Sequence, residues 1–131
     1  MSDIGLSVYH TRALQLADAM QLCRDDMDAY GSAAALLAIH SAISYNDAVV
    51  LTLLGRRPNT EDHQRAITAT EKACAMARVN EKQGVKHLRK LLGAKNDVAY
   101  GDRQLEPATI EGLCIAAERF QTWAERLLID K

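Results

Sequence analysis

Aromatic side chains are scarce in this 131-residue sequence, which has one tryptophan and one phenylalanine. Only two prolines interrupt it, and no useful length of chain shows the polar–apolar alternation of β-strands. Opposite charges nearly cancel, leaving a formal net charge of −1, so no global attraction to nucleic acid or acidic membranes is expected. These absences exclude a β-rich fold and favour a single all-α domain over residues 1–131.

Cysteines are few, odd in number and not spaced as in a metal site: Cys23, Cys74 and Cys114. Each lies on or beside an apolar helical stripe, so we expect free core cysteines and a cytoplasmic protein. The first residues show no basic region followed by an apolar run, so no secretory leader is expected. Glycine-rich phosphate loops, nucleophile elbows and the zinc motif HExxH are also missing. We therefore expect no metal and no cofactor.

The segment over residues 33–54 contains no lysine, arginine or glutamate. Apolar and small residues surround its helical wheel, which predicts a helix covered by protein on most sides. Its length would span a bilayer, but polar residues interrupt it and no anchoring flanks follow, so no membrane is expected. One side of this helix carries Leu36, His40, Ile43, Asp47, Val50 and Leu54.

Asp47 would be a carboxylate among apolar neighbours, which is costly unless a cation or several donors meet it. Lys95 falls on the apolar stripe of a later predicted helix, where lysine is rare unless paired. The two are therefore candidate partners. Two interpretations stay open, because such a pair can fix the register of two helices or form the wall of a functional pocket.

Apolar residues recurring every three or four positions predict further helices over residues 7–30, 61–77, 81–100 and 107–129. We expect Gly31 to end the first helix, Ser32 to cap the next, and Pro58 to lie in the turn that follows. Small residues dominate the seam of 61–77, so that segment should be less firmly held. The expected fold is an antiparallel up-and-down four-helix bundle with an additional shorter helix.

Three features follow one another along this chain: an uncharged helix with a late Asp47, a Gly-Arg-Arg turn leading to Asp62-His63, and a polar segment. That segment, residues 91–103, reads Leu-Leu-x-x-Lys-Asn-x-x-x-Tyr-x-Asp-Arg. Over roughly residues 33–127 the chain thereby resembles bacterial HEPN domains, which are small helical bundles. Members commonly dimerise; many cleave or process RNA as toxins, and others pair with a nucleotidyltransferase.

The resemblance implies an RNA- or nucleotide-associated protein of a toxin–antitoxin or defence system, and a homodimer. RNA, a nucleotide and a nucleotidyltransferase protein are the candidate partners. The family's ribonuclease motif is an arginine, usually followed by a polar residue, with a histidine four to six positions later. This chain has Lys95-Asn96 and Tyr100 there. Tyrosine, with a pKa near 10, needs a large shift to act as a base, so the resemblance implies a degenerate site.

In that site Lys95 and Arg103 would bind phosphate, and Asn96 would bond a base or ribose. Tyr100 would stack, donate a hydrogen bond, or accept a nucleotide group from a partner enzyme. The candidate nucleotide- or RNA-binding set is Asp47, Arg57, Lys95, Asn96, Tyr100, Asp102 and Arg103. The alternative is a structural ion network of Lys95, Asp47 and Arg103.

A second arginine–histidine spacing occurs at Arg57 (or Arg56) and His63. His63 is therefore a catalytic candidate beside Lys95 and Tyr100, in a different loop from the motif position. If His63 acts, the chain is an active nuclease. If no histidine acts, the alternative function is a non-catalytic, all-helical dimeric module for protein interaction.

One further surface is suggested by basic residues close together in sequence: Lys82, Lys86, Arg89 and Lys90, with His87 beside them. Lys82, Lys86 and Arg89 share one helical face that could follow an RNA backbone. Most such runs are solvated helix faces, however, and no aromatic residue interleaves with this one to stack bases.

Overall fold

The structure, a computed structural model, describes residues 7–56 and 62–129. These residues contain no β-strand, which confirms the all-α expectation. The predicted turn at Pro58 lies outside them. The helices are α1 (Val8–Arg24), α2 (Met27–Leu54), α3 (His63–Ala77), α4 (Lys82–Gly93), α5 (Lys95–Tyr100) and α6 (Pro107–Ile129).

The boundary between the first two helices lies earlier than the sequence predicted, because α2 begins at Met27 rather than after Gly31. Asp26 caps α2, and its side chain accepts a hydrogen bond from the Ala29 amide at 3.4 Å. Asp28 lies in the first turn of α2. Carboxylates at a helix N-terminus interact favourably with the helix dipole. The acidic residues that would oppose the dipole of a longer α1 therefore favour the start of α2.

α2 is kinked close to its start. Tyr30 has non-helical dihedral angles, φ −129° and ψ 21°, and the glycine that follows it is buried against α6. A Cβ atom at Gly31 would lie 2.9 Å from Cδ1 of Ile110. Gly31 therefore serves the close approach of two helices rather than capping one, while the helix break predicted at Gly31 and Ser32 corresponds to the kink at Tyr30, where two helical segments meet.

The helix predicted over 81–100 is two helices. α4 ends at Gly93, α5 begins at Lys95, and Ala94 between them has φ −89° and ψ −7°. Glycine is a weak helix former, which favours a break at this place. The break interrupts the apolar row of α4, so the expected position of Lys95 on the buried stripe is wrong, and Lys95 is half-buried.

α2 is the central helix and packs against all five other helices. Tyr45 and Val49 of α2 are fully buried, and Asp47 is only 7% exposed, so the expected burial of this carboxylate is confirmed. Of the described helices, only α2 is long and apolar enough to cross a membrane. Because 72% of its apolar window is buried inside the fold, protein covers most of that surface.

The directions of α1 and α6 follow from contacts at the two ends of α1. At its start, Nε2 of His10 lies 2.8 Å from Oε2 of Glu125. At its end, Nε of Arg24 donates to Oε1 of Glu111 at 2.9 Å. α1 and α6 are therefore antiparallel, and a side-chain contact joins them near each end of α1.

α4 and α6 also run antiparallel. A Cβ at Gly84, near the start of α4, would lie 2.5 Å from ring atoms of Trp123 near the end of α6. Nζ of Lys90, near the end of α4, lies 3.3 Å from the Cβ position of Gly112 near the start of α6.

Most apolar rows of the helices are buried, but the row predicted on α3 (Ala66, Ala69, Ala73, Met76 and Ala77) is buried only at Ala66 and Ala73. Met76 is 67% exposed, whereas Thr70 and Cys74 are fully buried. The Thr70 hydroxyl donates to the backbone carbonyl of Ala66 at 3.0 Å and also contacts the side-chain oxygen of Asn46. These bonds explain why a polar side chain tolerates this interior position. The seam of α6 is buried at Ile110, Leu113, Ala117, Phe120 and Ala124.

The cysteines are free thiols, as expected. Cys74 and Cys114 are buried and Cys23 is half-buried.

Candidate functional site

The residues of the degenerate motif lie on α5 and the turn that follows it. Asn96, Tyr100, Asp102 and Arg103 are exposed, and Tyr100 is 82% exposed. Lys95 is half-buried at the first turn of α5, a helix that packs on α2 and α4. These residues, here called the α5 surface, form an open face. The expected pocket inside an apolar bundle is therefore wrong for this segment.

The expected pair of Asp47 and Lys95 is not formed: the ion pairs between described residues do not join them. Lys95 instead lies close enough to His40 for its charge to act on the imidazole. Along α2, His40 precedes Asp47 by about two helical turns, or roughly 10 Å. The buried carboxylate and the motif lysine are therefore associated with different parts of α2: Asp47 belongs to its second half, whereas Lys95 of α5 lies beside His40.

His40 is a functional candidate that the sequence argument missed. His40 is exposed on α2, but partial desolvation, and next the positive charge of Lys95, hold the pKa of His40 below its ordinary value. Above that pKa the imidazole is neutral, so it can accept a hydrogen bond or a proton beside a lysine ammonium group. The row shared by His40 and Asp47 was visible in the sequence, but no local pattern connects His40 with Lys95.

The turn after α5 borders two shallow depressions. The first, about 430 Å³, is lined by the motif residues Asp102 and Arg103 and by the carboxylates of Asp97 and Glu106. The second, about 360 Å³, lies at the kink of α2, and Leu105 lines both. Because carboxylates outnumber the one guanidinium in the first depression, an anion is better placed at Lys95 than there.

The second arginine–histidine pair falls at the gap in the described residues. Arg57 and the side chain of His63 lie outside what the structure describes, although His63 is the first residue of α3. The alternative Arg57–His63 site stays a prediction.

A buried polar network joins α1, α2 and α6 near the far end of α2 from its kink. The Tyr45 hydroxyl donates to Oε2 of Glu125 at 2.7 Å and accepts from Nε2 of Gln121 at 2.9 Å. His10 binds the same Glu125 oxygen. Burial, and then the bond to Glu125, raise the pKa of Tyr45. These polar atoms satisfy one another, so the network acts as a structural tie.

Neither a metal-binding cluster among the described residues nor a similar known protein indicates a function for this chain. Within residues 7–56 and 62–129, no group of three or more His, Cys, Asp or Glu side chains could hold a metal ion. Comparisons with protein-family models, with curated proteins and with solved structures find no match to this chain. The α5 surface and the charges around it therefore carry the functional argument.

Proposed function

We propose that this chain is a HEPN-like RNA- or nucleotide-associated protein of the cytoplasm, with a toxin–antitoxin or defence role. The observation that carries the proposal is the approach of Lys95 to His40, beside the exposed side chains of Asn96 and Tyr100. An ammonium group attracts a phosphate, a neutral imidazole accepts a hydroxyl proton, and an exposed ring stacks on a base. The α5 surface and His40 of α2 together offer these three contacts to a nucleotide.

The shape of the surface supports binding more than cleavage. Efficient transition-state stabilisation needs fixed donors in surroundings that exclude water. Tyr100 is 82% exposed, so its ring is available for stacking but its hydroxyl lacks the low-dielectric surroundings that would activate it. We infer weak or absent ribonuclease activity, with Tyr100 as the acceptor if a nucleotidyltransferase partner modifies the chain.

The fold proposed for this function is the antiparallel up-and-down four-helix bundle of α1, α2, α4 and α6, with α3 and α5 as shorter additions. It is supported by the antiparallel contacts of α6 with both α1 and α4. Such bundles place their ligand contacts on facing or adjoining helices.

The proposal is tested by anisotropy of a fluorescein-labelled single-stranded RNA and of labelled ATP, titrated with wild-type protein and with two lysine variants. We expect Lys95→Ala to weaken binding by at least about fivefold, since it removes a charge-assisted contact. Lys72→Ala, at an exposed position on α3, is the matched control and should change affinity less than about twofold. Equal effects of the two substitutions, or no binding of either ligand by wild type, would contradict the proposal.

A dimeric protein-interaction module is the second candidate. It is favoured by two exposed aromatic residues: Tyr30, 55% exposed, lines the depression at the kink of α2, and Tyr100, 82% exposed, ends α5. Tyrosine is enriched at protein interfaces because it combines apolar area with a hydrogen-bonding tip. Sedimentation equilibrium should then show a dimer that Tyr30→Asp weakens. A strict monomer at high protein concentration would rule this candidate out.

A further inference from the structure

The exposed face of α4 is basic along its whole length. Lys82, Lys86 and Lys90 recur at every fourth position, so they follow one another at about 6 Å along the helix axis. All three are exposed. Arg89 lies on the same face and reaches Oε2 of Glu71 at 3.4 Å. This face was visible in the sequence as a short basic run.

α6 widens that face by bringing a further cation beside it. Arg119 is exposed and acts, together with Lys86 and Lys90, on the half-buried imidazole of His87. Because α4 and α6 are antiparallel, Arg119 lies level with the middle of α4. The basic run of one helix is therefore part of a surface shared by two, here called the α4–α6 basic surface: Lys82, Lys86, Lys90 and Arg119.

Trp123 supplies an aromatic border that the α4 sequence itself lacks. Its half-buried ring packs over Gly84, and its indole N–H donates to the backbone carbonyl of Asn80 at 3.3 Å. The Trp123 ring is therefore held at the N-terminal end of α4, which begins at Lys82. No aromatic residue interleaves with the basic run in the sequence of α4, but the packing of α6 brings Trp123 to its N-terminal end.

The cations of this surface are not neutralised by ion pairs with carboxylates of the described residues. Among the ion pairs of the described residues, none involves Lys82, Lys86, Lys90 or Arg119. The nearby carboxylates of α6, Glu111 and Glu118, bind Arg24 of α1 instead. In a chain whose formal net charge is −1, four cations on one face that form no ion pair among the described residues are a strong local asymmetry.

We propose that the α4–α6 basic surface binds the phosphate backbone of a single-stranded nucleic acid, independently of the α5 surface. An acidic lipid surface fits less well, because helices that bind membranes combine cations with apolar side chains that enter the bilayer. α4 exposes no such side chain to solvent. Its exposed residues are Lys82, Gln83, Lys86, Arg89, Lys90 and Gly93.

The salt dependence of binding gives the first test. Four phosphate contacts predict that log K falls with log salt concentration at a slope of about −2.8 on a single strand. Raising the salt from about 50 to about 200 mM should then weaken binding about 50-fold. The probe is a labelled 20-nucleotide single-stranded RNA, with a single-stranded DNA of the same sequence as a parallel arm. Similar affinity for both strands would support recognition of the backbone.

Two charge-reversal substitutions test whether the nucleic acid binds at the α4–α6 basic surface. Lys86→Glu and Arg12→Glu change the net charge of the protein equally. Arg12 is exposed on α1, which does not contact α4. At about 100 mM salt we expect Lys86→Glu to weaken binding about 10-fold, and Arg12→Glu less than about twofold. Urea unfolding of both variants verifies that each remains folded.

Three results would overturn the inference. They are equal losses in the two reversal variants, no binding of either strand by wild type at about 50 mM salt, and binding of phosphatidylserine vesicles but of neither strand. Failure of this inference is distinguishable from failure of the proposed function, because Lys95→Ala tests the α5 surface separately. Loss of binding in Lys95→Ala with unchanged binding in Lys86→Glu would leave the α5 surface as the binding site.

Discussion

A single hydroxyl group illustrates how polar atoms specify this interior. The oxygen of Tyr45 accepts one hydrogen bond and donates another, and its side chain has no solvent exposure. Each partner it satisfies, Gln121 and Glu125, would otherwise need water or another group. The tyrosine therefore does more than fill space, because it fixes which faces of α2 and α6 meet.

Removal of this hydroxyl should destabilise the protein. We expect Tyr45→Phe to lower the free energy of unfolding by about 1–3 kcal/mol, since Gln121 loses its acceptor and Glu125 one of its donors. The control is Tyr100→Phe, at a position that is 82% exposed, which should change stability by less than about 0.5 kcal/mol. Urea unfolding followed by circular dichroism measures both. Equal stabilities of the two variants would show that the network contributes nothing.

At the scale of helices, two glycines of α4 have opposite roles. Gly84 gives the Trp123 ring room to pack on the helix backbone, and a Cβ there would lie 2.5 Å from the ring. Apart from the adjoining backbone of its own helix, no atom lies within 4 Å of the Cβ position of Gly93. The first glycine is kept for packing, whereas the second only weakens the last turn.

Alanine at the two positions should therefore act in opposite directions. We expect Gly84→Ala to destabilise by about 1–3 kcal/mol, because the displaced indole cannot shift without disturbing Phe120, whose ring centroid lies 5.4 Å away. Gly93→Ala should stabilise by about 0.4–1 kcal/mol through the lower entropy of the unfolded chain. Thermal unfolding of the pair measures the contrast. A stabilised Gly84→Ala variant would contradict the packing described for Trp123.

The whole molecule should show a stability maximum near neutral pH. Burial raises the pKa of Cys74 and of Cys114 to about 11. The unfolded thiols ionise first as pH rises, so stability is full below about pH 8.5 and then falls by up to about 1.4 kcal/mol per pH unit and thiol. The raised pKa of Tyr45 adds to this loss at higher pH.

Below neutral pH, the free energy of unfolding should fall as the pH decreases. Burial lowers the pKa of both His40 and His87, so the unfolded state binds protons first as pH falls below about 6.5, and stability decreases. Urea unfolding in the presence of a reductant, from pH 5.5 to 10, measures the profile. In the double variant Cys74→Ala with Cys114→Ala the loss between pH 8 and 10 should flatten. An unchanged alkaline slope would assign that loss to other groups.

Much of this fold could be predicted from local pattern, for reasons visible in particular residues. α6 has its predicted bounds because Pro107 favours a first turn and a regular apolar row follows. The predicted break at Gly31 and Ser32 lies beside the kink at Tyr30, but the capping role predicted for Gly31 was wrong because small size serves both caps and close packing. Sequence spacing does not separate these two uses.

The site was less predictable than the fold. The row that placed Lys95 in the core assumed one continuous helix, and the break at Ala94 ended that register. The approach of Lys95 to His40, and of Tyr45 to Glu125, joins residues far apart in sequence. Such contacts depend on how whole helices pack, so no local sequence motif predicts them.

The double attachment of α1 to α6 has a consequence for how the molecule opens. Detaching α1 breaks the His10–Glu125 contact at one end and the Arg24–Glu111 contact at the other. Amide hydrogens of α1 should therefore exchange only by global unfolding, whereas those of α5, which has no buried residue, should exchange through local opening. Hydrogen–deuterium exchange read by mass spectrometry would then show α5 labelled well before α1. The cooperative unit of this protein would include its first helix and exclude the segment that carries the α5 surface.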